Sequence, residues 1–158
     1  MRTNNKKSNV LEKLETDKIQ VVSVKKEINN TKSIKYHYCF YCGKMNTKIW
    51  RHWIRCKTEK LKKEWFQIQS LPKGSKERKL KIGQLINLGD QKHNENVKKD
   101  GKGYIVTKRR PKDENIQMKQ YMNCKMCNGM IKKTNLTRHS KICPQREKNY
   151  EKGCYTDE

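Results

Sequence analysis

The chain has 158 residues, of which 39 are Lys or Arg and 16 are Asp or Glu, so its formal charge is +23. Only 32% of the residues are hydrophobic, whereas an ordinary soluble domain is about 45–50% apolar. This composition excludes one large hydrophobic core, and no apolar run approaches the ~20 residues of a membrane span. It predicts small modules that are stabilised by something other than buried apolar area, and the basic charge predicts an acidic partner.

Residues 1–35 contain nine Lys or Arg and four acids, and we predict a disordered basic N-terminus. Their one apolar cluster, residues 19–24, is compatible with a strand, but the sequence indicates no partner for it. No apolar run follows the first residues, so a secretory signal is not expected. The seven cysteines are then expected in a reducing compartment, where closely spaced cysteines bind metal more often than they form disulfides.

Two segments carry the same pattern of metal-ligating residues. They are Cys39-x2-Cys42-x9-His52-x3-Cys56 and Cys124-x2-Cys127-x11-His139-x3-Cys143. A CxxC turn supplies two thiolates, and a His and a Cys four residues apart project from one face of a helix, which together suit tetrahedral zinc. The repetition of both short spacings argues against chance. We predict two CCHC zinc fingers, residues 36–56 and 124–143, and two Zn²⁺ ions per chain.

Apolar residues occur where a small ββα finger has its core. Ile131 and Leu136 occupy these positions in the second segment, and Ile49 and Met45 correspond to them in the first. The loop between Cys42 and His52 is short, which predicts a knuckle and a helix with little sheet. So few apolar side chains cannot stabilise a module, whereas zinc binding contributes on the order of 10–16 kcal/mol.

Residues 57–123 are predicted to be a basic linker region with two short helices and a short strand. The first helix follows from apolar residues at i, i+4 and i+7, namely Leu61, Trp65 and Ile68. The second is expected to begin after Ser75 and to end at Gly89, and the strand covers residues 104–107. Residues 144–158 are predicted to be a disordered tail in which Cys154 is a free thiol. The fold class is therefore small α+β zinc-stabilised modules joined by a helical, partly disordered basic region.

The sequence resembles zinc fingers of the wider CCHH/CCHC class, and more narrowly a poorly characterised family of animal proteins with two such fingers and mobile-element-like members. The narrower resemblance lies in residues 41–44 (YCGK) with Arg51-His52, residues 71–79 (LPKGSKERK), residues 101–103 (GKG) with 109–111 (RRP), and the Gly129 and Leu136-x-Arg138-His139 pattern. It covers about residues 38–144. The resemblance implies two zinc sites, and it implies that this chain is a short member or an N-terminal fragment of a mobile-element-derived protein.

The two predicted fingers hold four and five Lys or Arg and no acid, which favours nucleic acid as the partner, DNA ahead of RNA. In a Cys2His2-type finger, helix positions −1, 3 and 6 face base edges, and these correspond to Met45, Lys48 and Arg51 and to Lys132, Asn135 and Arg138. The predicted nucleic-acid-binding residues are Lys48, Arg51, Arg55, Lys132, Asn135, Arg138 and Lys141. Because the whole of the linker region 57–123 separates the fingers, non-specific affinity is favoured over contiguous sequence readout.

The alternative is a zinc-stabilised protein-interaction module, whose anchors would be Trp50, Trp53, Trp65 and Phe66. An enzyme is not expected, because four ligands close each zinc site and no phosphate loop, carboxylate pair or nucleophilic triad is present. We expect neither a small-molecule substrate nor a membrane partner. Residues 108–112 (KRRPK) resemble a nuclear-import signal, so the expected location is the nucleus, or otherwise the cytoplasm.

Overall fold

The computed structural model describes residues 19–21, 35–111 and 116–146. Most of the N-terminus and of the tail that were predicted to be disordered lies outside these ranges, and so does Cys154. The elements in chain order are β1 (Ile19–Val21), β2 (His37–Tyr38), β3 (Met45–Asn46), α1 (Ile49–Arg55), α2 (Glu59–Ser70), α3 (Lys76–Asp100), β4 (Gly103–Ile105), a 3₁₀ turn (Met118–Gln120), β5 (Tyr121–Asn123), β6 (Met130–Lys132) and α4 (Lys133–Ile142). Within the described ranges no helix has the length and apolar character needed to cross a bilayer.

Both Cys/His segments fold as a short antiparallel hairpin followed by a helix, and we call them the first unit (36–56) and the second unit (124–143). In the first unit, β2 and β3 pair through only two residues each, and α1 follows. In the second, β6 pairs with the three residues of β5, which lies just before the unit, and α4 follows. The short spacing from Cys42 to His52 leaves room for little more than the CxxC turn and the start of a helix.

Helix α3 is the longest element, with 25 residues. It begins after Ser75, whose hydroxyl accepts a hydrogen bond from the Arg78 N–H, and ends at Gly101, which adopts the left-handed conformation. The helix passes through Gly89, where the sequence predicted its end, and it is not one of two short helices. Gly89 is buried where the backbone of Tyr38 crosses the helix, so this glycine provides close approach and not a stop.

Helix α2 extends the core of the first unit. Leu61, Trp65 and Ile68 are buried, as their helical spacing predicted. The Trp65 ring packs against Trp53 of α1 with 5.2 Å between ring centroids, and Leu85 of α3 joins the same core. Residues that follow the first unit in sequence therefore supply much of its apolar interior, which the unit itself is too small to provide.

The strand β1 pairs in parallel with β4, with Ile19 opposite Gly103 and Val21 opposite Ile105. Its residues lie within the segment predicted to be disordered, so that prediction is wrong for 19–21. The sequence could not reveal this pair because its members are so far apart along the chain. Val21 and Ile105 pack with Val97, Tyr121 and Met130 in a second core beside α3.

Both units are anchored to the same part of α3. Asp90 accepts hydrogen bonds from the Tyr38 N–H and the His37 Nδ1–H of the first unit. The Asn87 side chain, about one turn earlier on the helix, donates to the Cys127 carbonyl of the second unit. Two units that are distant in sequence are thus both fixed to one helix.

Residues 144–146, the described part of the predicted tail, also contact α3. Gln145 donates a hydrogen bond from its side chain to the Leu80 carbonyl at 2.9 Å. Leu80, Asn87 and Asn94 are two helical turns apart in succession and so lie along one side of α3. This side of α3 contacts the second unit and the chain segments next to it. The prediction of a disordered tail is therefore wrong for Gln145, which makes one of these contacts.

Candidate metal centres

The first cluster consists of Cys39, Cys42, His52 and Cys56. The CxxC turn is closed by a hydrogen bond from the Gly43 N–H to the Cys39 carbonyl at 2.8 Å and by one from the Cys39 N–H to the Lys44 carbonyl at 3.0 Å. Gly43 has a φ of 70°, the left-handed backbone that this turn needs. Helix α1 and its C-cap supply the other two side chains.

The second cluster repeats this construction with Cys124, Cys127, His139 and Cys143. The Asn128 N–H donates to the Cys124 carbonyl at 2.8 Å, and the Cys124 N–H donates to the Gly129 carbonyl at 3.0 Å. Asn128 takes the place of Gly43 with a φ of 58°, which asparagine tolerates better than most residues. The two turns therefore share their backbone pattern as well as their cysteine spacing.

In each cluster, all four ligand atoms lie within 4.8 Å of one another. The Cys42 Sγ is 3.2 Å from the His52 Nε2, and the Cys127 Sγ is 3.4 Å from the His139 Nε2. A tetrahedral zinc with Zn–S bonds of about 2.3 Å needs ligand atoms about 3.5–3.8 Å apart. The six cysteines of the two clusters are free thiols, so both Cys3His clusters have the number, type and spacing of ligands to hold a metal ion. The structure thus brings the eight predicted residues together in two clusters of four.

Burial shifts the pKa of several side chains in the two clusters. It raises the pKa of the Cys39 thiol to about 11 and that of Cys143 to about 12. Burial also acts to raise the pKa of the Cys56 thiol, but hydrogen bonds with Thr58, Cys42 and Cys39 together lower it. The pKa values of His52 and His139 are lowered by burial and, secondarily, by Lys44 and Lys108 respectively. The histidines thus favour the neutral form that binds metal, and Cys39 and Cys143 favour the protonated thiol unless a cation stabilises the thiolate.

The surroundings of the two clusters differ. Cys127 is only 1% exposed, and the Lys108 Nζ donates a hydrogen bond to its sulfur at 3.5 Å. The matched residue of the first cluster, Cys42, is exposed. Lys108 is fixed in turn by its own N–H, which donates to the Met130 carbonyl. Sequence spacing gave no sign that Lys108, which lies well before the second unit, belongs beside this cluster.

The histidines outside the clusters have structural partners. His37 donates from Nδ1 to Asp90 at 2.8 Å, which accounts for a residue that lies two positions before Cys39. His93 stacks on the Tyr38 ring with 3.6 Å between centroids and donates to the Tyr104 carbonyl at 3.0 Å. Both residues hold α3 to its neighbours, and neither belongs to a ligand cluster.

An open cleft of about 440 Å³ lies beside the first cluster. It is lined by Asn46, Thr47, Lys48, Arg51, His52 and Arg55. Lys48, Arg51 and Arg55 are exposed, and in the described part of the chain none of them forms an ion pair. Because Lys48, Arg51 and Arg55 line this cleft and no acid does, its lining has a net positive charge.

The predicted base-contacting residues are only partly on helices. Asn135, Arg138 and Lys141 are exposed on α4, but Lys132 is the half-buried last residue of β6. Met45 lies in β3, where its sulfur accepts a hydrogen bond from the Tyr104 hydroxyl. Helix α1 has only two turns and is therefore about 10 Å long. The positional scheme of a Cys2His2 finger thus does not transfer to Met45 and Lys132.

The aromatic anchors predicted for a protein interface divide into two groups. Trp53 and Trp65 are buried in the first core, so they cannot contact a partner. Trp50 and Phe66 are exposed, at 47% and 73%, and the Arg51 guanidinium lies over the Trp50 ring at 5.0 Å. Only the second pair can take part in recognition.

The chain matches no protein-family model, no curated protein and no solved structure. The geometry therefore defines its class: a small α+β protein with two Cys3His clusters that could each hold a metal ion.

Proposed function

We propose that this protein is a zinc-stabilised nucleic-acid-binding protein with one structural Zn²⁺ in each cluster. Three thiolates and one imidazole are a common ligand set for structural zinc, and four protein ligands leave no open position for catalysis. We accordingly propose no enzymatic activity. The ion would connect a CxxC turn to a helix in each unit, and so would fix the surface that each helix presents.

The cleft beside the first cluster is the observation that supports nucleic acid as the ligand. Lys48, Arg51 and Arg55 surround a space of about 440 Å³ without a neighbouring acid in their unit. Cations that have no ion-pair partner suit phosphates, whose neutralisation releases counterions and drives association. Asn135, Arg138 and Lys141 on α4 offer a second exposed polar and basic face. We favour DNA over RNA, and we favour binding with little sequence preference.

Salt-dependent fluorescence anisotropy with a labelled DNA duplex tests this proposal. A variant with Lys48→Gln, Arg51→Gln and Arg55→Gln removes three charges from the cleft. If all three contact phosphates, the slope of log K against log salt falls by about 3. The control removes three exposed charges near the end of α3 and beyond it, Lys98→Gln, Lys99→Gln and Lys102→Gln. Equal losses in both variants, or no binding by the parent protein, would overturn the proposal.

A protein-interaction module is the second candidate, supported by exposed apolar side chains. Trp50 and Ile54 are exposed one turn apart on α1, and Phe66 is exposed on α2. A Trp50→Ser, Phe66→Ser variant distinguishes the two functions. It leaves duplex affinity unchanged if these residues serve a protein partner, and it lowers duplex or single-strand affinity if they stack on bases.

We also propose that the chain is related to the two-finger, mobile-element-like animal proteins that it resembles. We further propose that it is located in the nucleus. Arg109 of the predicted import signal is exposed, whereas Lys108 is held against the second unit. A fluorescent fusion in which Arg109 and Arg110 are replaced by Gln tests the location. Nuclear accumulation that does not change would exclude residues 108–112 as the signal.

A further inference from the structure

The two clusters have the same ligands but present unequal sulfur atoms to solvent. Cys42 and Cys127 occupy matched positions as the second cysteine of each CxxC turn. Cys42 is exposed, whereas Cys127 is only 1% exposed. Since reagents in solution must reach the sulfur before they react, the two thiolates differ in accessibility from the outset.

The hydrogen bonds near Cys42 and Cys127 make the two sulfur atoms differ in reactivity as well as in accessibility. Lys108 donates to the Cys127 sulfur at 3.5 Å, and Asn87 holds the carbonyl of the same residue at 2.8 Å. A cationic donor withdraws electron density from a metal-bound thiolate and weakens it as a nucleophile. The Cys42 sulfur has the His52 ring at 3.2 Å, and His52 itself lines the open cleft. Cys42 and His52 are therefore open to a small molecule from solvent, whereas Cys127 is covered by Asn87 of α3 and by Lys108.

We propose that Cys42 is an oxidant-sensitive modification site, at which hydrogen peroxide oxidises the first zinc cluster while the second stays intact. This inference rests on the zinc binding proposed above. The Cys42 thiolate attacks one peroxide oxygen, so that an S–O bond forms and the O–O bond breaks. The sulfur is oxidised by two electrons to a sulfenic acid, the peroxide is reduced, and the departing hydroxide takes a proton from solvent to become water.

The sulfenic acid then has a partner within reach. The thiolates of Cys39 and Cys56 lie within 4.8 Å of the other ligand atoms of the cluster. Attack by either one forms a disulfide and releases hydroxide, and two of the three thiolates needed for zinc are lost. The first ion is thereby released. The cores around Val97 and Leu136 lie outside the first cluster and are not altered by this chemistry.

The test uses the full chain loaded with two zinc ions. It is treated with one equivalent of hydrogen peroxide in the presence of dimedone, which traps sulfenic acid, and of a chromogenic zinc chelator. Peptide mass spectrometry then quantifies each cysteine separately, Cys154 included. We expect release of one zinc ion, and we expect Cys42 to be modified at least about tenfold faster than Cys127. Modification of Cys127 as fast as that of Cys42 would overturn the proposal.

A Lys108→Met variant tests the contribution of the hydrogen bond, with Lys102→Met as its exposed control. We expect faster oxidation of Cys127 only in the Lys108 variant, with the rate at Cys42 unchanged. An unchanged Cys127 rate would remove Lys108 from the explanation and overturn that part of it. A chain that binds no zinc would overturn both proposals, whereas a two-zinc chain with equal cysteine rates would overturn only this one.

Discussion

The carbonyl group of Tyr38 occupies the space that a Cβ atom would need on Gly89. The backbone of the first unit therefore rests directly on the backbone of α3, a distance that no other residue type permits without movement. Asp90, the next residue, receives the Tyr38 N–H at 3.0 Å. One turn of α3 thus sets the position of the strand that leads into Cys39.

Replacing Gly89 by alanine tests this contact. We expect Gly89→Ala to lower the free energy of unfolding by about 1–3 kcal/mol, because the added methyl group displaces the first unit. Gly83→Ala on the same helix is the matched control, since a Cβ there meets nothing within 4 Å. It should stabilise the protein by about 0.5–1 kcal/mol through helix propensity. Urea unfolding of the zinc-loaded variants measures both, and equal effects would refute the role of Gly89.

Asn94 performs the corresponding task for the chain that leads to the second unit. Its side chain donates to the Val106 carbonyl and accepts from the Val106 N–H, both at 2.8 Å, and it is only 1% exposed. Asn94→Ala leaves both backbone groups without these partners and should cost about 1–3 kcal/mol. Asn96→Ala, an exposed position on the same helix, should change stability by less than about 0.5 kcal/mol. Similar urea midpoints for the two variants would contradict this.

The sequence predicted what depends on local spacing. Cysteine and histidine intervals indicated both ligand clusters, and the apolar periodicity of Leu61, Trp65 and Ile68 indicated α2. It could not predict contacts between distant segments. The pairing of β1 with β4 depends on the chain between them, and Gly89 looks the same in sequence whether it ends a helix or admits a neighbouring backbone.

Residues that support the sites were missed for the same reason. Asp90, Asn94 and Lys108 carry no motif, and their roles exist only once α3 has brought the two units together. The orientation of the tryptophans was likewise not fixed by composition. Trp53 faces the core and Trp50 faces solvent, although both are close to His52 in sequence.

This difference between the two tryptophans gives a third prediction. Trp53 is 1% exposed and contacts Trp65, so Trp53→Ala should lower the free energy of unfolding by about 3–5 kcal/mol. Trp50→Ala should change it by less than about 0.5 kcal/mol, since that ring is on the surface. Thermal or urea unfolding followed by circular dichroism measures both. A surface role for Trp53 would give the opposite order.

The burial of His93 predicts a pH dependence of stability. Burial lowers its pKa from 6.5, opposed in part by the hydrogen bond to the Tyr104 carbonyl and by nearby Asp90, and the ring also stacks on Tyr38. As the pH falls, His93 is therefore protonated near pH 6.5 in the unfolded chain but only at a lower pH in the folded chain. The stability associated with neutral His93 is complete above pH 6.5 and is lost as the pH falls from 6.5 through the lowered pKa.

His93→Gln isolates this contribution. Glutamine does not titrate and retains an N–H donor for the Tyr104 carbonyl. The difference in unfolding free energy between pH 7.5 and pH 5.5 should be smaller in His93→Gln than in the parent chain, with any acid effect on the metal clusters common to both. An identical pH slope in the two proteins would show that His93 does not contribute.

The central claim is that each Cys3His cluster holds one zinc ion, and native mass spectrometry of the full chain measures this directly. We expect two Zn²⁺ ions per chain, and one in each of the variants Cys42→Ser and Cys127→Ser, because each cluster would lose one of its four ligands. A folded parent chain that carries no zinc would contradict the account. If the parent chain carries a single ion, the variant that loses it identifies the one cluster that binds zinc.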